Sequence, residues 1–148
     1  MRRCLNAVLD PHPSESDINQ LWKHFSSSCA YCGSGLARDE RIGHIDHVVP
    51  SASGGTNDIH NHVLSCARCN GDEKREESWE TFLARKATSG PVYQERRAHI
   101  QVWLNKASPT QRTLSPTSRA QADAIIEQAL GSFDCAVKEL RALRNGRA

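Results

Sequence analysis

The sequence predicts an α+β protein in which a short β-hairpin lies between two cysteine pairs and helices flank both. Two Cys-x-x-Cys pairs stand well apart in the chain, and β-forming residues cluster between them. Apolar residues recur at helical spacing on either side of that segment. Of the 148 residues, 38% are hydrophobic and 5% aromatic, which is a lean basis for a core. Small domains of this kind often need a metal, a disulfide or a partner chain to be stable.

Composition and targeting signals exclude several classes of protein. The longest apolar runs are far short of the roughly 20 residues that a membrane span needs, so no membrane partner is expected. Met1-Arg2-Arg3-Cys4 is not followed by an apolar stretch of the kind found in secretory signals. A cytoplasmic location follows as the expectation, and there spaced cysteines favour metal binding over disulfides. The net charge of +2 is too small to indicate nucleic-acid binding by itself.

The N-terminal segment is expected to be irregular and then helical. Residues 1–15 are rich in proline, serine and charge, which predicts an arm or loop. Ser16 is a candidate N-cap for a helix from Asp17 to about Ser26, whose apolar residues form one stripe. A tight knuckle at residues 29–35 should follow, with glycine supplying a positive φ.

The central segment has the pattern of a hairpin. Residues 41–49 contain the β formers of a first strand, which Pro50 ends. Residues 51–58 are rich in glycine, serine and asparagine and predict a flexible loop. Residues 61–65 then predict a second short strand.

The rest of the chain reads as helical. A helix is predicted from Ala67 through Glu77, with a further stripe to about Ala87, and another at residues 92–106 after a break at residues 89–91. Residues 107–118 predict a linker before a last helix at residues 118–143. That helix carries an apolar heptad seam. The seam could pair with a second copy of the chain or fold back onto Trp103 and Leu104. Its residues are Ile126, Leu130, Phe133, Val137 and Leu140.

The four paired cysteines predict a structural zinc site. A gap of two residues lets both sulfurs of a pair reach one ion, and two pairs complete a tetrahedral set. With four thiolates bound, no position remains for water. Disulfides or free buried cysteines are the alternatives, which the expected compartment disfavours. The ligands are Cys29, Cys32, Cys66 and Cys69, whereas Cys4 and Cys135 have no partner at ligand spacing.

The hairpin also carries the elements of a second, open metal site. Asp46 offers a carboxylate oxygen and Asn70 an amide oxygen, which suit Mg²⁺ or Mn²⁺. A neutral His47 can accept a proton from a water molecule near pH 7. Asp46 and His47 are neighbours in the strand and point to opposite faces. Both can serve one site only if the strand is bent or twisted there, so we expect an irregularity near residues 46–49.

Each of these residues also has a structural interpretation. An Asp-His pair is often only polar surface, and Asn70 could cap the helix that begins beside it. His44 could touch the metal or a phosphate, or be packed or solvated. Lys74, with its neighbour Arg75, could bind phosphate or belong to a solvated helix face. The remaining histidines of the hairpin, His60 and His62, have no expected role.

One family combines all of these features. The run Asp46-His47-x-x-Pro50-x-Ser-x-Gly54-Gly55, then Asn61, then Cys66-x-x-Cys69-Asn70 and Lys74 resembles the cysteine-bearing HNH endonucleases. The resemblance covers residues 29–75 and implies a treble-clef-like ββα-metal core. It further implies a nuclease that hydrolyses phosphodiester bonds in DNA, leaving 5′-phosphate and 3′-hydroxyl ends. By the same resemblance, His47 is the general base, Asp46 and Asn70 hold the catalytic metal, and Asn61 ties the loop between the strands.

The expected organisation has three parts: an N-terminal arm and helix at residues 1–28, a nuclease core at residues 29–88, and a helical extension at residues 89–148. DNA is the expected partner, with a homodimer through the last helix as a further possibility. A rival hypothesis is a catalytically silent, zinc-stabilised nucleic-acid-binding module. A zinc protein that binds a protein partner is a third.

Overall fold

The computed structural model describes residues 1–40, 42–106 and 114–146, and these divide into two compact units. One unit contains residues 12–106 and the other contains residues 1–11 with residues 114–146. The mixture of helices with one small sheet confirms the predicted α+β class. The elements are α1 (Arg2–Leu9), α2 (Glu15–His24), β1 (Gly43–His47), β2 (His62–Cys66), a π-helical segment (Arg68–Lys74), α3 (Trp79–Lys86), α4 (Gly90–Leu104) and α5 (Pro116–Arg144).

Helix α2 supports the hairpin from one side. It begins at Glu15 because Ser14 caps it. The Asp17 backbone N–H donates to the Ser14 hydroxyl at 3.2 Å, and the Ser14 backbone N–H donates to the Asp17 carboxylate at 2.9 Å. The predicted helix is therefore present, but its cap lies two residues before Ser16. Trp22 fills the space beside Gly43, where an added Cβ would lie 2.4 Å from the indole ring.

The hairpin is antiparallel, with His47 opposite His62 and Asp46 opposite Val63. Strand β1 ends at His47, and the chain bends at Val48 and Val49. The Val48 N–H still donates to the Asn61 carbonyl at 2.8 Å, so strand-like pairing continues one residue further. The irregularity expected near residues 46–49 is thus a bend that begins directly after His47.

The chain after β2 differs from the single long helix expected from Ala67. The segment Arg68–Lys74 is π-helical and ends at Arg75, whose φ of +48° cannot continue a helix. Helix α3 then starts separately at Trp79, with the Ser78 hydroxyl accepting from the Thr81 N–H at 3.2 Å. Helix α3 is therefore a separate element, and its last turn contacts the π-helical segment through Lys86 and Glu73.

Helix α4 belongs to the same unit as the hairpin. The break at residues 89–91 does separate two helices, but Ser89 caps α4 and Pro91 lies within its first turn. Ile100 and Trp103 are buried, and the Trp103 indole N–H donates to the His62 carbonyl at 2.9 Å. Helix α4 is thus anchored to the hairpin within the unit at residues 12–106.

The second unit pairs the two ends of the chain. The prediction of an irregular arm was wrong for residues 2–9, which form α1 and pack on α5. Arg2 and Glu127 form an ion pair at 2.5 Å between these helices. Helix α5 starts at Pro116, with Ser115 as its cap. Residues 107–113 of the predicted linker lie outside the described residues.

The heptad seam of α5 is covered only in part. Ile126 is buried and Leu130 and Val137 are partly buried, whereas Phe133 and Leu140 are exposed. No helix in the described part of the chain has the length and apolar character of a membrane span.

Candidate active site and metal centre

The four paired cysteines come together in one cluster, with all four sulfur atoms within 4.8 Å of one another. A tetrahedral zinc site with Zn–S bonds of about 2.3 Å requires sulfur atoms roughly 3.8 Å apart. The Cys32 and Cys66 sulfurs are 3.8 Å apart. The first knuckle is closed by Gly33, whose φ is +75° and whose N–H donates to the Cys29 carbonyl at 2.8 Å. This cluster is positioned to bind a metal ion and is compatible with structural zinc.

The electrostatics of the cluster also fit a cation. Burial, followed by the charges of neighbouring thiolates, raises the pKa of Cys69, and burial raises that of Cys29. Burial acts in the same direction on Cys32, but hydrogen bonds with Ser34, Cys29 and Cys66 together outweigh it and lower the pKa of that thiol to about 7. Four thiolates at this separation repel one another, so a divalent ion is needed to keep all of them ionised.

Asp46 is buried and engaged on one side of β1. Its Oδ2 accepts from the Tyr31 hydroxyl at 2.7 Å and lies 3.1 Å from the Lys74 ammonium nitrogen. Burial raises the pKa of the Asp46 carboxyl, although the Lys74 charge and the Tyr31 hydrogen bond act in the opposite direction. Both contacts use the same oxygen, so Oδ1 is the carboxylate atom left for another partner.

Lys74 is a residue whose role the sequence did not reveal. It is only 2% exposed, so both expectations for it, a phosphate ligand or a solvated face, are wrong. Its ammonium group also donates to the His47 carbonyl at 2.9 Å. Lys74 therefore holds both the side chain of Asp46 and the backbone of His47 in place.

His47 lies at the end of β1, on the other face of the hairpin from Asp46. Its Nε2 is 3.2 Å from Asn57 Oδ1 and 3.1 Å from His62 Nε2. The two imidazole rings have centroids 4.1 Å apart. His47 is partly buried, whereas His62 is buried. A residue without an expected role thus directly contacts the candidate base.

The loop after His47 is held by Asn61. The Asn61 Oδ1 accepts from the Val49 N–H at 3.0 Å, and its Nδ2 donates to the carbonyls of Val49 at 3.1 Å and Thr56 at 2.9 Å. Gly55 makes this close approach possible, because a Cβ there would lie 1.8 Å from the Val49 carbonyl oxygen. The loop therefore depends on both the amide and the absence of a side chain at residue 55.

Asn70 lies within the π-helical segment and faces β1. Its Nδ2 is 3.4 Å from Nδ1 of His44. His44 lies two residues before Asp46 in β1, so the two side chains are on the same face of the strand. In the described part of the chain, no donor reaches the Asn70 Oδ1. His60, in contrast, packs on Trp103 with ring centroids 4.5 Å apart.

Basic residues beyond the hairpin are engaged within the protein. Arg85 pairs with Glu77 at 2.7 Å, and Lys86 pairs with Glu73 at 2.7 Å. On α4, Arg97 pairs with Glu80 at 2.9 Å, and Arg96 donates to the Tyr31 carbonyl at 2.7 Å. The charges of these side chains are thus paired or hydrogen-bonded within the protein.

The fold and the site define a treble-clef-like ββα arrangement with one four-cysteine cluster. Residues 29–76 match the family model described as HNH endonuclease. That segment contains the four paired cysteines, Asp46, His47, Asn61 and Asn70. The match covers about a third of the chain and agrees with the resemblance that the sequence motifs indicated. No curated protein matches the chain.

Proposed function

We propose that the HNH domain is a metal-dependent endonuclease that hydrolyses phosphodiester bonds in DNA. In this proposal His47 is the general base, Asp46 and Asn70 hold a catalytic Mg²⁺ or Mn²⁺, and Asn61 fixes the loop that follows the base. The observation that carries it is the match of residues 29–76 with the HNH family, with His47 at the end of the hairpin.

The ion of the cysteine cluster is proposed to be zinc with a structural role. Cys29, Cys32, Cys66 and Cys69 fill a tetrahedral coordination sphere, so this ion has no open position for water or substrate. Thiolate ligands of this kind persist in a reducing compartment, and the proposal includes a cytoplasmic location.

Two oxygen donors support the proposed catalytic metal. Asp46 uses Oδ2 for its contacts with Tyr31 and Lys74, which leaves Oδ1. Asn70 directs Nδ2 towards His44, which leaves its amide oxygen. A carboxylate and an amide oxygen form an incomplete set for Mg²⁺ or Mn²⁺, so waters and a phosphate oxygen can complete it.

The proposed chemistry is an in-line hydrolysis. His47 takes a proton from a water molecule, whose oxygen attacks phosphorus while the bond to the 3′ oxygen breaks. The leaving 3′ oxygen gains a proton, which gives 5′-phosphate and 3′-hydroxyl ends. When bound, the metal polarises the phosphoryl group and stabilises the charge on the leaving oxygen.

Cleavage of supercoiled plasmid by the purified, zinc-containing protein tests this proposal. The wild type should produce nicked or linear DNA with Mg²⁺ or Mn²⁺ and none without an added metal. His47→Ala should lower the rate by about 10²- to 10⁴-fold, the usual contribution of a general base, while its zinc content stays unchanged. Cleavage that survives in His47→Ala would contradict the assignment of the base.

The rival function is separated by the same assay. A wild type that binds the plasmid but leaves it intact with either metal would indicate a silent, zinc-stabilised nucleic-acid-binding module. Binding would then weaken steeply with salt, because it would depend on phosphate contacts.

The proposal also includes a homodimer through α5. Phe133 and Leu140 of its seam are exposed at 47% and 65%. Light scattering of the wild type and of Phe133→Glu tests this part, because a charge in a paired seam should convert the dimer to a monomer. A monomeric wild type would contradict it and leave the nuclease proposal intact.

A further inference from the structure

His62 lies directly opposite His47 in the antiparallel pair. Opposed residues in such a pair place their side chains on the same face of the sheet. The Nε2 atoms of the two rings are 3.1 Å apart, which is hydrogen-bond distance. His62 is 2% exposed, so the contact lies on the protected side of the candidate base.

The proton on His62 can be assigned from its other nitrogen. Its Nδ1 lies 2.6 Å from the backbone carbonyl oxygen of Asp58, and a carbonyl can only accept. The hydrogen of His62 is therefore on Nδ1. Burial disfavours a second proton on this ring because that would make it a cation. The Nε2 of His62 is then unprotonated, and it can accept a hydrogen bond from His47.

This assignment decides the tautomer of His47. Two bare nitrogens 3.1 Å apart would bring their lone pairs together, so the proton between the rings belongs to Nε2 of His47. The Asn57 Oδ1, 3.2 Å from the same nitrogen, is a second acceptor for it. A neutral His47 with its proton on Nε2 has its lone pair on Nδ1. No donor or acceptor of the described residues reaches that Nδ1.

We propose that His62 is a positioning residue for His47. Through the series Asp58 carbonyl, His62 ring and His47 ring, it keeps the proton of His47 on Nε2 and leaves Nδ1 as the basic atom. When Nδ1 accepts the proton of the attacking water, the Nε2–H bond to His62 also stabilises the resulting imidazolium. The catalytic consequence rests on the proposed nuclease function, whereas the tautomer does not.

Two substitutions separate this role from simple packing. His62→Phe keeps an aromatic ring in the buried position but removes the acceptor. His62→Gln supplies an amide oxygen that can accept from His47. His60→Phe is the matched control, because His60 is a neighbouring histidine that packs on Trp103 without contacting His47.

The first readout is ¹⁵N NMR of the imidazole groups in the zinc-loaded protein, which distinguishes a protonated from a bare ring nitrogen. In the wild type and His60→Phe, His47 should have a protonated Nε2 and a bare Nδ1. His62→Phe leaves Asn57 Oδ1 as the remaining acceptor of that nitrogen, so the share of His47 protonated on Nδ1 should rise, and His62→Gln should restore the wild-type pattern. A wild-type His47 with a bare Nε2 would overturn the inference, as would a pattern unchanged in His62→Phe.

The second readout is the cleavage rate. Loss of a residue that orients a site residue typically costs about 10- to 100-fold, so kcat of His62→Phe should fall by that factor with KM unchanged. If His62→Phe does not fold, His62→Gln and the wild-type spectrum still decide the tautomer. A wild type that cleaves and requires His47, beside a fully active His62→Phe, would overturn this inference alone. A wild type that does not cleave would remove the nuclease proposal and leave the tautomer to the spectra.

Discussion

The cysteine cluster and the hairpin site are built in opposite ways. The cluster consists of two local pairs, and its four sulfur atoms converge within 4.8 Å. The hairpin site takes residues from both faces of β1 and from the π-helical segment, and buried contacts hold them in place. The cluster thus directs all four of its sulfur atoms to one centre, whereas in the hairpin site Asp46 Oδ1, Asn70 Oδ1 and His47 Nδ1 have no hydrogen-bond partner among the described residues. A structural metal needs the first arrangement and a reaction needs the second.

The largest expected effect comes from the cysteine cluster. Cys69→Ser should abolish the cooperative fold of the unit at residues 12–106, because structural zinc contributes an apparent 10–16 kcal/mol, roughly as much as a whole domain's stability. Circular dichroism and zinc content per chain measure it. Cys135→Ser is the control, since Cys135 is exposed and lies outside the cluster. An unchanged melting temperature and one zinc per chain in Cys69→Ser would contradict the structural role.

The buried ion pair gives the next effect. Lys74→Met leaves the Asp46 carboxylate buried without its cation, which should cost about 3–5 kcal/mol in the free energy of unfolding. Urea unfolding without added Mg²⁺ or Mn²⁺ measures the loss. Lys86→Met is the matched control, because its ion pair with Glu73 is more exposed than that of Lys74 with Asp46 and should contribute much less to stability. Equal losses in the two variants would show that Lys74 is an ordinary surface charge.

The loop after His47 gives a smaller effect, which is measured by the cleavage rate. In Gly55→Ala the new methyl group collides with the Val49 carbonyl, so the loop must shift. A displacement of about 1 Å at a catalytic group can cost about 10²-fold in rate, and zinc content should not change. Gly90→Ala is the control, because no atom lies within 4 Å of the added Cβ. Wild-type cleavage by Gly55→Ala would show that the loop does not position the base.

The smallest effect concerns pH. Burial lowers the pKa of His24 below its ordinary value of 6.5, although its ring nitrogen lies 3.1 Å from the His99 carbonyl oxygen. The unfolded chain therefore binds a proton at His24 more readily than the folded protein does. The stability that neutral His24 contributes is fully present above pH 6.5 and is lost as the pH falls from 6.5 through the lower pKa of the folded state.

Urea midpoints on either side of 6.5 test the prediction. The wild type should lose more stability on acidification than His24→Gln, and Lys23→Gln should behave as the wild type. Equal acid sensitivity of the wild type and His24→Gln would contradict the assignment. The comparison must be made between variants, because the thiolates of the metal cluster also bind protons in acid.

The same contrast explains how much the sequence could predict. The cysteine cluster depends on local spacing, and the HNH motif identified the segment that matches the family model. The contacts of Lys74 were not predictable, because its burial depends on where the π-helical segment crosses Asp46. His62 was missed for a related reason. Its contact with His47 depends on the register of the two strands, and a shift of one residue would separate the rings.

The helix boundaries show a different limit. Ser14 and Ser16 are both acceptable caps, and the choice depends on Asp17, which completes the reciprocal bonds with Ser14. Helix α1 carried a signal that composition obscured, since Leu5, Val8 and Leu9 have helical spacing before Pro11. The positive φ of Arg75, which separates the π-helical segment from α3, has no sequence signature, because arginine rarely adopts it.

The central claim is that the hairpin holds a second, catalytic metal besides the ion of the cysteine cluster. The most direct test counts both metals in one sample: zinc by elemental analysis and bound Mn²⁺ by electron paramagnetic resonance, with plasmid cleavage measured at each Mn²⁺ concentration. We expect one zinc per chain, one Mn²⁺ site whose occupancy tracks the cleavage rate, and loss of that site with retention of zinc in Asn70→Ala. Cleavage without Mn²⁺ or Mg²⁺, or an Mn²⁺ site unaffected by Asn70→Ala, would contradict it.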